Sequence, residues 1–248
     1  MGNVAAKSEI YVLPYDATDT ESLGTTVDSA NAFAGDGNID VLILNAGIYQ
    51  NKPALKTSQE ERNWITRVNY QGPVDLAHAV ITRGRWKERG FGHIVVVTSI
   101  MSHGPHGLSS AYAASKAALK SYFHTLSTEE YSWLRVDVAC PGATDTGLWA
   151  NSQSTSTSSG AKMNPERVAH LILTGAAGPY GFFYETWISK AAGLLWLWLS
   201  HYMPNVFHGF VHLLGYIRVA IWENEKLDAL DLPLLLHRLA LLIIGRYP

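Results

Sequence analysis

Three short apolar runs rich in β-branched residues constrain this fold more than anything else in the chain: IDVLIL at residues 39–44, HIVVVT at 93–98 and LRVDVA at 134–139. IDVLIL is the clearest of them, a continuous run of the kind that parallel sheets cover on both faces. Long stretches of helical composition separate the runs, at residues 58–83 and 110–133. Strands alternating with long helices form right-handed βαβ units, so the expected class is α/β with a parallel sheet and flanking helices. Upstream, residues 9–15, EIYVLPY, read as a further short strand, followed by Thr20 as a helix cap and a helical stretch towards Ala34. Downstream, a helix is expected near residues 165–176 and a strand over 181–189.

The stretch SAYAASKAAL, residues 110–119, sets a phenol and an ammonium four positions apart among small residues. On a helix, positions i and i+4 share a face, so Tyr112 and Lys116 can approach one small molecule. A tyrosine ordinarily titrates near pH 10. A neighbouring ammonium favours the phenolate and brings it towards the range useful for proton exchange at neutral pH. Alone, the pattern Y-x-x-x-K is most often just a helix surface. Its surroundings change that reading, because Ser99 ends one strand thirteen residues upstream of Tyr112, Asn45-Ala46-Gly47 ends the strand before it, and Pro141-Gly142-x-Thr144-x-Thr146 ends the one after. Loops at the carboxyl ends of parallel strands are where ligand groups gather.

Taken together, N-A-G, Ser, Y-x-x-x-K and P-G-x-x-x-T in this order resemble the short-chain dehydrogenase/reductase family over roughly residues 9–189. The segment ETWIS at 185–189, with HYMP at 201–204, is similar to that family's membrane-associated branch called dehydrogenase/reductase member 7. The resemblance implies a Rossmann-like fold and interconversion of a carbonyl and an alcohol with NADP or NAD, NADP being favoured. It implies Tyr112 as proton donor or acceptor, Lys116 on the nicotinamide ribose, Ser99 on the carbonyl oxygen and Asn69 anchoring a water that links Lys116 to solvent. It further implies that Thr144 backbone and the Thr146 hydroxyl meet the carboxamide, that Asp16 meets the adenine, and that Asn45, Ala46, Gly47, Pro141 and Gly142 line the cofactor cleft. Asp16 is equally readable as a turn or helix-start residue, and Thr146 as the opening of a loop. For Asn69 there is a separate physical argument. Pro73, four residues on, has no N–H to return to the Asn69 carbonyl, so a kink is expected there, and a kink without function is the plain alternative.

The family pattern also breaks. A pyrophosphate needs a glycine-rich turn after the first strand, and GDG at 35–37 precedes its strand instead. By the resemblance, the chain begins just before the family's third strand and lacks the first two strands and the residue that chooses between NAD and NADP. That would turn 39–44 into an exposed edge, unless it pairs directly with 9–15. Two functions follow: an oxidoreductase of a lipophilic substrate, inactive as written if cofactor cannot bind, or a non-catalytic homologue that binds a membrane or a partner subunit. The helices at 58–83 and 110–133 often form the family's dimer interface, so a homodimer is expected.

Residues 191–217 carry no formally charged side chain, and four of the eight tryptophans stand in or beside this run. Such composition suits a water–lipid boundary. Pro204-Asn205 and His201, His208 and His212 interrupt it, which favours interfacial or re-entrant helices over a span. The plain alternative is an apolar cover for the domain or a dimer partner. The expected division is therefore a truncated Rossmann-like domain over 1–190 and an apolar helical C-terminal tail over 191–248, which leans on a membrane. The location implied is the endoplasmic reticulum membrane, with the cytoplasm as alternative. The polar loop 151–160, NSQSTSTSSG, reads as a lid.

Other classes fit poorly. A net charge of -2 gives no field for nucleic acid, and the lone Cys140 excludes intramolecular disulfides and Cys-rich metal sites. His103-x-x-His106 and His208-x-x-x-His212 lack the H-E-x-x-H pattern, so no metal is expected. There is no G-x-S-x-G elbow, no apolar signal-peptide core at the N-terminus, and Ala6 spoils a myristoylation reading of Gly2.

Overall fold

The computed structural model describes residues 9–34, 38–104, 107–130, 132–149, 162–178, 185–188, 191–203, 206, 207 and 211. Four strands, β1 (Val41–Leu44), β2 (Gly92–Val97), β3 (Leu134–Pro141) and β4 (Glu185–Ile188), stand in sequence order β1-β2-β3-β4. Every pair is parallel, with Val41 opposite His93, Gly92 opposite Leu134 and Val138 opposite Glu185. The crossovers are helical: α2 (Gln59–Thr66), α3 (Gly72–Arg83) and the short α4 (Trp86–Arg89) join β1 to β2, α5 (Ser110–Glu129) joins β2 to β3, and α6 (Pro165–Ala177) joins β3 to β4. Helix α1 (Leu23–Phe33) precedes the sheet and α7 (Ala191–Tyr202) follows it. The class is the Rossmann-like α/β arrangement that the alternation of runs implies.

Local chemistry explains the element ends. Ser58 caps α2 through a reciprocal box: its hydroxyl accepts the Glu61 N–H at 3.2 Å and the Glu61 carboxylate accepts the Ser58 N–H at 2.8 Å. Between α2 and α3 the chain widens into a π turn over Arg67–Gln71, in which the Gly72 N–H reaches the Arg67 carbonyl. This widened turn falls on Asn69, four residues before Pro73, which has no N–H to offer that carbonyl. For α1, Ser22 is the N-cap rather than Thr20, with the Asp19 carboxylate accepting the Ser22 hydroxyl at 2.6 Å.

One face of the sheet packs Leu44, Ile94, Val96, Val138 and Cys140 against Val27 of α1, Ala77 and Val80 of α3 and Leu119 and Phe123 of α5. The opposite face packs Val95, Val97 and Ala139 against Val168, Ile172 and Ala176 of α6. At roughly 1.5–3 kcal/mol per fully buried aliphatic side chain, these two layers hold β2 and β3 in place.

Two strand expectations need correction. Residues 9–15 form no strand and pair with nothing in the sheet, so the direct pairing of 9–15 with 39–44 does not occur. Pro14 withholds a ladder donor. The segment is held by helices instead: Tyr11 stacks on Phe33 at 4.7 Å, and Ala17 crosses Gly72 so closely that a Cβ there would lie 2.2 Å from the Ala17 carbonyl oxygen. Nor is β1 covered on both faces. Val41 and Ile43 are 47% and 45% exposed, because β1 is the sheet's edge and its side chains alternate between a helix-covered face and a bare one.

Of the apolar tail, the described part is chiefly α7. Among the described residues no helix is long and apolar enough to cross a membrane. Residues 151–160 and 212–248 lie outside the described residues, as do His106, His208 and His212.

Candidate active site

The carboxyl ends of β1, β2 and β3 open into a cavity of about 1040 Å³ lined by Asn45, Ala46 and Gly47 after β1, Thr98 and Ser99 after β2, and Pro141, Gly142, Thr144 and Thr146 at and beyond the end of β3. Tyr112 and Lys116 reach the same cavity from the first two turns of α5. Asn69 stands on the π turn, fully buried beside this group. Asp16 does not line the cavity; its carboxylate accepts the N–H and the hydroxyl of Thr18, each at 2.8 Å.

Within the group the side chains are held by neighbours from several elements. Ser99 faces the Tyr112 hydroxyl closely enough to lower its pKa, while its own Oγ accepts the Met101 N–H at 3.2 Å, and the Tyr112 ring meets that of Tyr49 edge-on at 4.9 Å. The Lys116 ammonium donates to the Val97 carbonyl at 2.9 Å. Asn69 clasps the loop after β1: its Oδ1 accepts the Ile48 N–H at 2.8 Å and its Nδ2 donates to the Ile48 carbonyl at 2.9 Å. The same Nδ2 donates to Ser115 Oγ at 3.0 Å, and Ser115 donates to the Tyr112 carbonyl at 2.8 Å. Asn69 thus ties the first rim loop to the turn of helix that carries the tyrosine.

Burial decides the acidities. It pushes the Tyr112 phenol up to about 12 against the lowering effect of Ser99, with smaller raising contributions from Tyr49 and Cys140. It also pulls Lys116 down to about 8, partly offset by Cys140. The expected acidification of the phenol by its lysine neighbour is therefore corrected: the ammonium is engaged on the Val97 carbonyl, and desolvation sets the direction of the shift.

The sequence profile described as short chain dehydrogenase matches residues 2–157. The chain belongs to the short-chain dehydrogenase/reductase family. Its similarity to dehydrogenase/reductase SDR family member 7 of Homo sapiens is 33% identity over 236 residues, which is 91% of this chain and 66% of the relative. The Mus musculus protein of that name is 31% identical over 242 residues, 94% of this chain and 69% of the relative. The chain thus spans about two thirds of the length of these curated relatives. Among solved structures, an alcohol dehydrogenase from the archaeon Thermococcus sibiricus complexed with 5-hydroxy-NADP has a TM-score of 0.62 at 22% identity, covering 71% of this chain and 72% of that one. A short-chain dehydrogenase from Streptomyces avermitilis has a TM-score of 0.62 at 23% identity, covering 87% of this chain and 78% of that one. Both share the fold.

The nicotinamide cofactor of this family can be tested against the cavity itself. The residues fit its nicotinamide–ribose half. Gly47 keeps open a position 3.3 Å from Asn69 Oδ1 and 3.4 Å from Lys116 Nζ that any side chain would fill, which leaves backbone and a buried ammonium accessible to ribose hydroxyls. For the pyrophosphate no glycine-rich turn follows any described strand, and the flank of β1 is bare.

Three residues that motif reading misses shape the site: Tyr49 against the Tyr112 ring, Ser115 under its carbonyl and Gln50 beneath its helix. Ser115 had a signal, since it stands three positions after Tyr112 on a helix. Tyr49 and Gln50 had none beyond following N-A-G.

Proposed function

We propose that the protein is an oxidoreductase that interconverts a carbonyl and an alcohol on a lipophilic substrate with a nicotinamide cofactor, NADP being favoured over NAD. The observation that carries this reading is a buried Tyr112 facing Ser99 on the wall of the cavity, with Lys116 one turn further along. Apolar walls of Ile48, Ile100, Met101, Leu148, Ile172 and Leu173 support a lipophilic substrate.

When bound, the cofactor supplies a hydride to the carbonyl carbon. Lys116, Asn45, Gly47 and Thr146 would hold its nicotinamide half. Ser99 donates a hydrogen bond to the substrate oxygen and orients it towards Tyr112. Tyr112 then passes its phenolic proton to that oxygen, yielding the alcohol and a phenolate. A phenol near 12 holds its proton throughout the neutral range, which suits the donor role. Asn69 keeps the Tyr112 turn in register with the loop beneath it.

The proposal extends to a membrane surface. Leu194, Leu195, Trp198 and Tyr202 of α7 are 41%, 56%, 47% and 65% exposed and recur at helical spacing. An apolar helical face ending in a Trp–Tyr pair is suited to lying in a lipid interface. A residence at the endoplasmic reticulum and a homodimer built on α2, α3 and α5, where Trp64 is half exposed, belong to the same reading. The non-catalytic alternative, a chain that binds membrane or a homologous subunit, draws on these same exposed surfaces.

One experiment separates the two. NADPH is titrated against tryptophan fluorescence, and turnover is followed on a panel of lipophilic ketones. The expected result is saturable quenching and a turnover that Tyr112→Phe removes while the quenching remains. Liposome pelleting without any response to NADPH would favour the alternative.

A further inference from the structure

Helix α5 carries Tyr112 in its first turn, and that turn has no cap of its own: Ser109 occupies the N-cap position without a side-chain hydrogen bond to the helix. The N–H groups of a first turn find no acceptor inside the helix. Here the acceptor comes from the loop after β1. Gln50 Oε1 accepts the Ala111 N–H at 2.9 Å and the Tyr112 N–H at 3.4 Å. The other end of the same amide is equally fixed, since Nε2 donates to the Lys52 carbonyl at 3.0 Å and to Thr57 Oγ1 at 2.7 Å, while Thr57 donates to the Pro53 carbonyl at 2.9 Å. Beside it the Lys52 N–H donates to the Leu108 carbonyl at 2.8 Å. Gln50 is only 6% exposed, so these bonds face little competition from water.

We propose that Gln50 is a positioning residue for Tyr112, a cap supplied across the cavity that fixes the first turn of α5 to the loop carrying Asn45–Gly47. The role of Tyr112 in proton transfer rests on the function proposed above; the clamp rests on the geometry alone. The side-chain chemistry is demanding. The site requires an acceptor for two helix N–H groups and a donor for two oxygens, at a reach that asparagine lacks. A carboxylate supplies the first and not the second, and leucine supplies neither.

The test compares Gln50→Leu with Gln50→Glu in the full chain by amide hydrogen exchange and steady-state reduction with NADPH. In Gln50→Leu the Ala111 and Tyr112 amides should exchange about tenfold faster, with Leu119 and Phe123 at wild-type rates. Its kcat should fall about tenfold with the KM for NADPH unchanged. Gln50→Glu, which keeps the acceptor for the two helix N–H groups and gives up the donor to Lys52 and Thr57, should retain more of the protection and of kcat than Gln50→Leu. Unchanged exchange at Ala111 and Tyr112 in folded Gln50→Leu overturns the proposal. So does loss of protection as complete in Gln50→Glu as in Gln50→Leu, and so does lost protection with kcat intact, because the clamp would then hold backbone without setting the phenol. If Gln50→Leu does not fold, Gln50→Glu decides: retained protection supports the clamp, and lost protection in a folded chain defeats it. Exchange needs neither cofactor nor turnover, so protected amides in a chain inert towards NADPH would sink the oxidoreductase reading while leaving the clamp in place.

Discussion

The two sides of β1 differ sharply. Its carboxyl end enters a rim cross-linked by hydrogen bonds: Asn69 grips Ile48 on both backbone atoms, Ser115 links Asn69 to the Tyr112 carbonyl, and Gln50 joins the next loop to α5. Its less covered face carries the half-exposed Val41 and Ile43, and its outer edge has no strand partner among the described residues. The rim is fixed by directional bonds inside a desolvated pocket, where each lost bond leaves a partner unsatisfied. A family motif therefore reports the state of the rim and says nothing about the flank.

The comparison is tested most severely at the rim. Ser99→Ala removes a hydroxyl that faces Tyr112 and should lower reductase turnover by about 10² or more, since removing one preorganised hydrogen-bond donor to a reacting oxygen costs roughly 10²–10³. Folding midpoints should move little. Turnover within a factor of two of wild type would remove the Ser99–Tyr112 pair from the mechanism.

Next in size is a stability effect with a definite pH signature. Lys116 is fully buried and its ammonium is held down to about 8 from the usual 10.5. A base with a lowered folded value costs stability at all pH below about 8, where both folded and unfolded chains are protonated. The cost then fades as pH rises towards 10.5, because the folded chain has already released a proton that the unfolded chain still holds. Lys116→Met should therefore be more stable than wild type at pH 7 by an amount on the order of 3 kcal/mol at most, less the loss of the Val97 hydrogen bond. The gap should shrink between pH 8 and 10.5. Urea unfolding at pH 7 and pH 10 measures it, and a gap that widens with pH would contradict the burial of a charged lysine.

What the sequence made legible follows the same division. Parallel order, the three rim segments and the Tyr112–Lys116 pair were readable, because strand runs separated by helices admit few topologies and i, i+4 spacing fixes a shared face. The departure from regular helix at Asn69 was readable from the donor that Pro73 lacks. The strand reading of 9–15 failed because β propensity is only a preference for a half-buried pleated surface; Tyr11 found Phe33 and Ala17 found Gly72 instead. The acidity of Tyr112 was misjudged because sequence spacing gives neither burial nor the direction of the Lys116 head group. Gln50 was invisible for a related reason, since its partners lie 61 and 62 positions away.

The smallest effect bears on the bare flank itself. Val96, on β2, is wholly buried, and Val41, on β1, is 47% exposed. Both sit in the same sheet, on adjoining strands. Val96→Ala should cost about 2–3 kcal/mol through lost burial and the void left in the helix-covered layer. Val41→Ala should cost less than about 1 kcal/mol, because much of its side chain is in water before and after unfolding. Chemical denaturation of the two variants at low protein concentration gives the ratio directly. If Val41→Ala proved as costly as Val96→Ala, the flank would have to be covered in solution. A cost that then rose with protein concentration would assign the cover to a second copy of the chain, since association that buries Val41 makes stability depend on concentration.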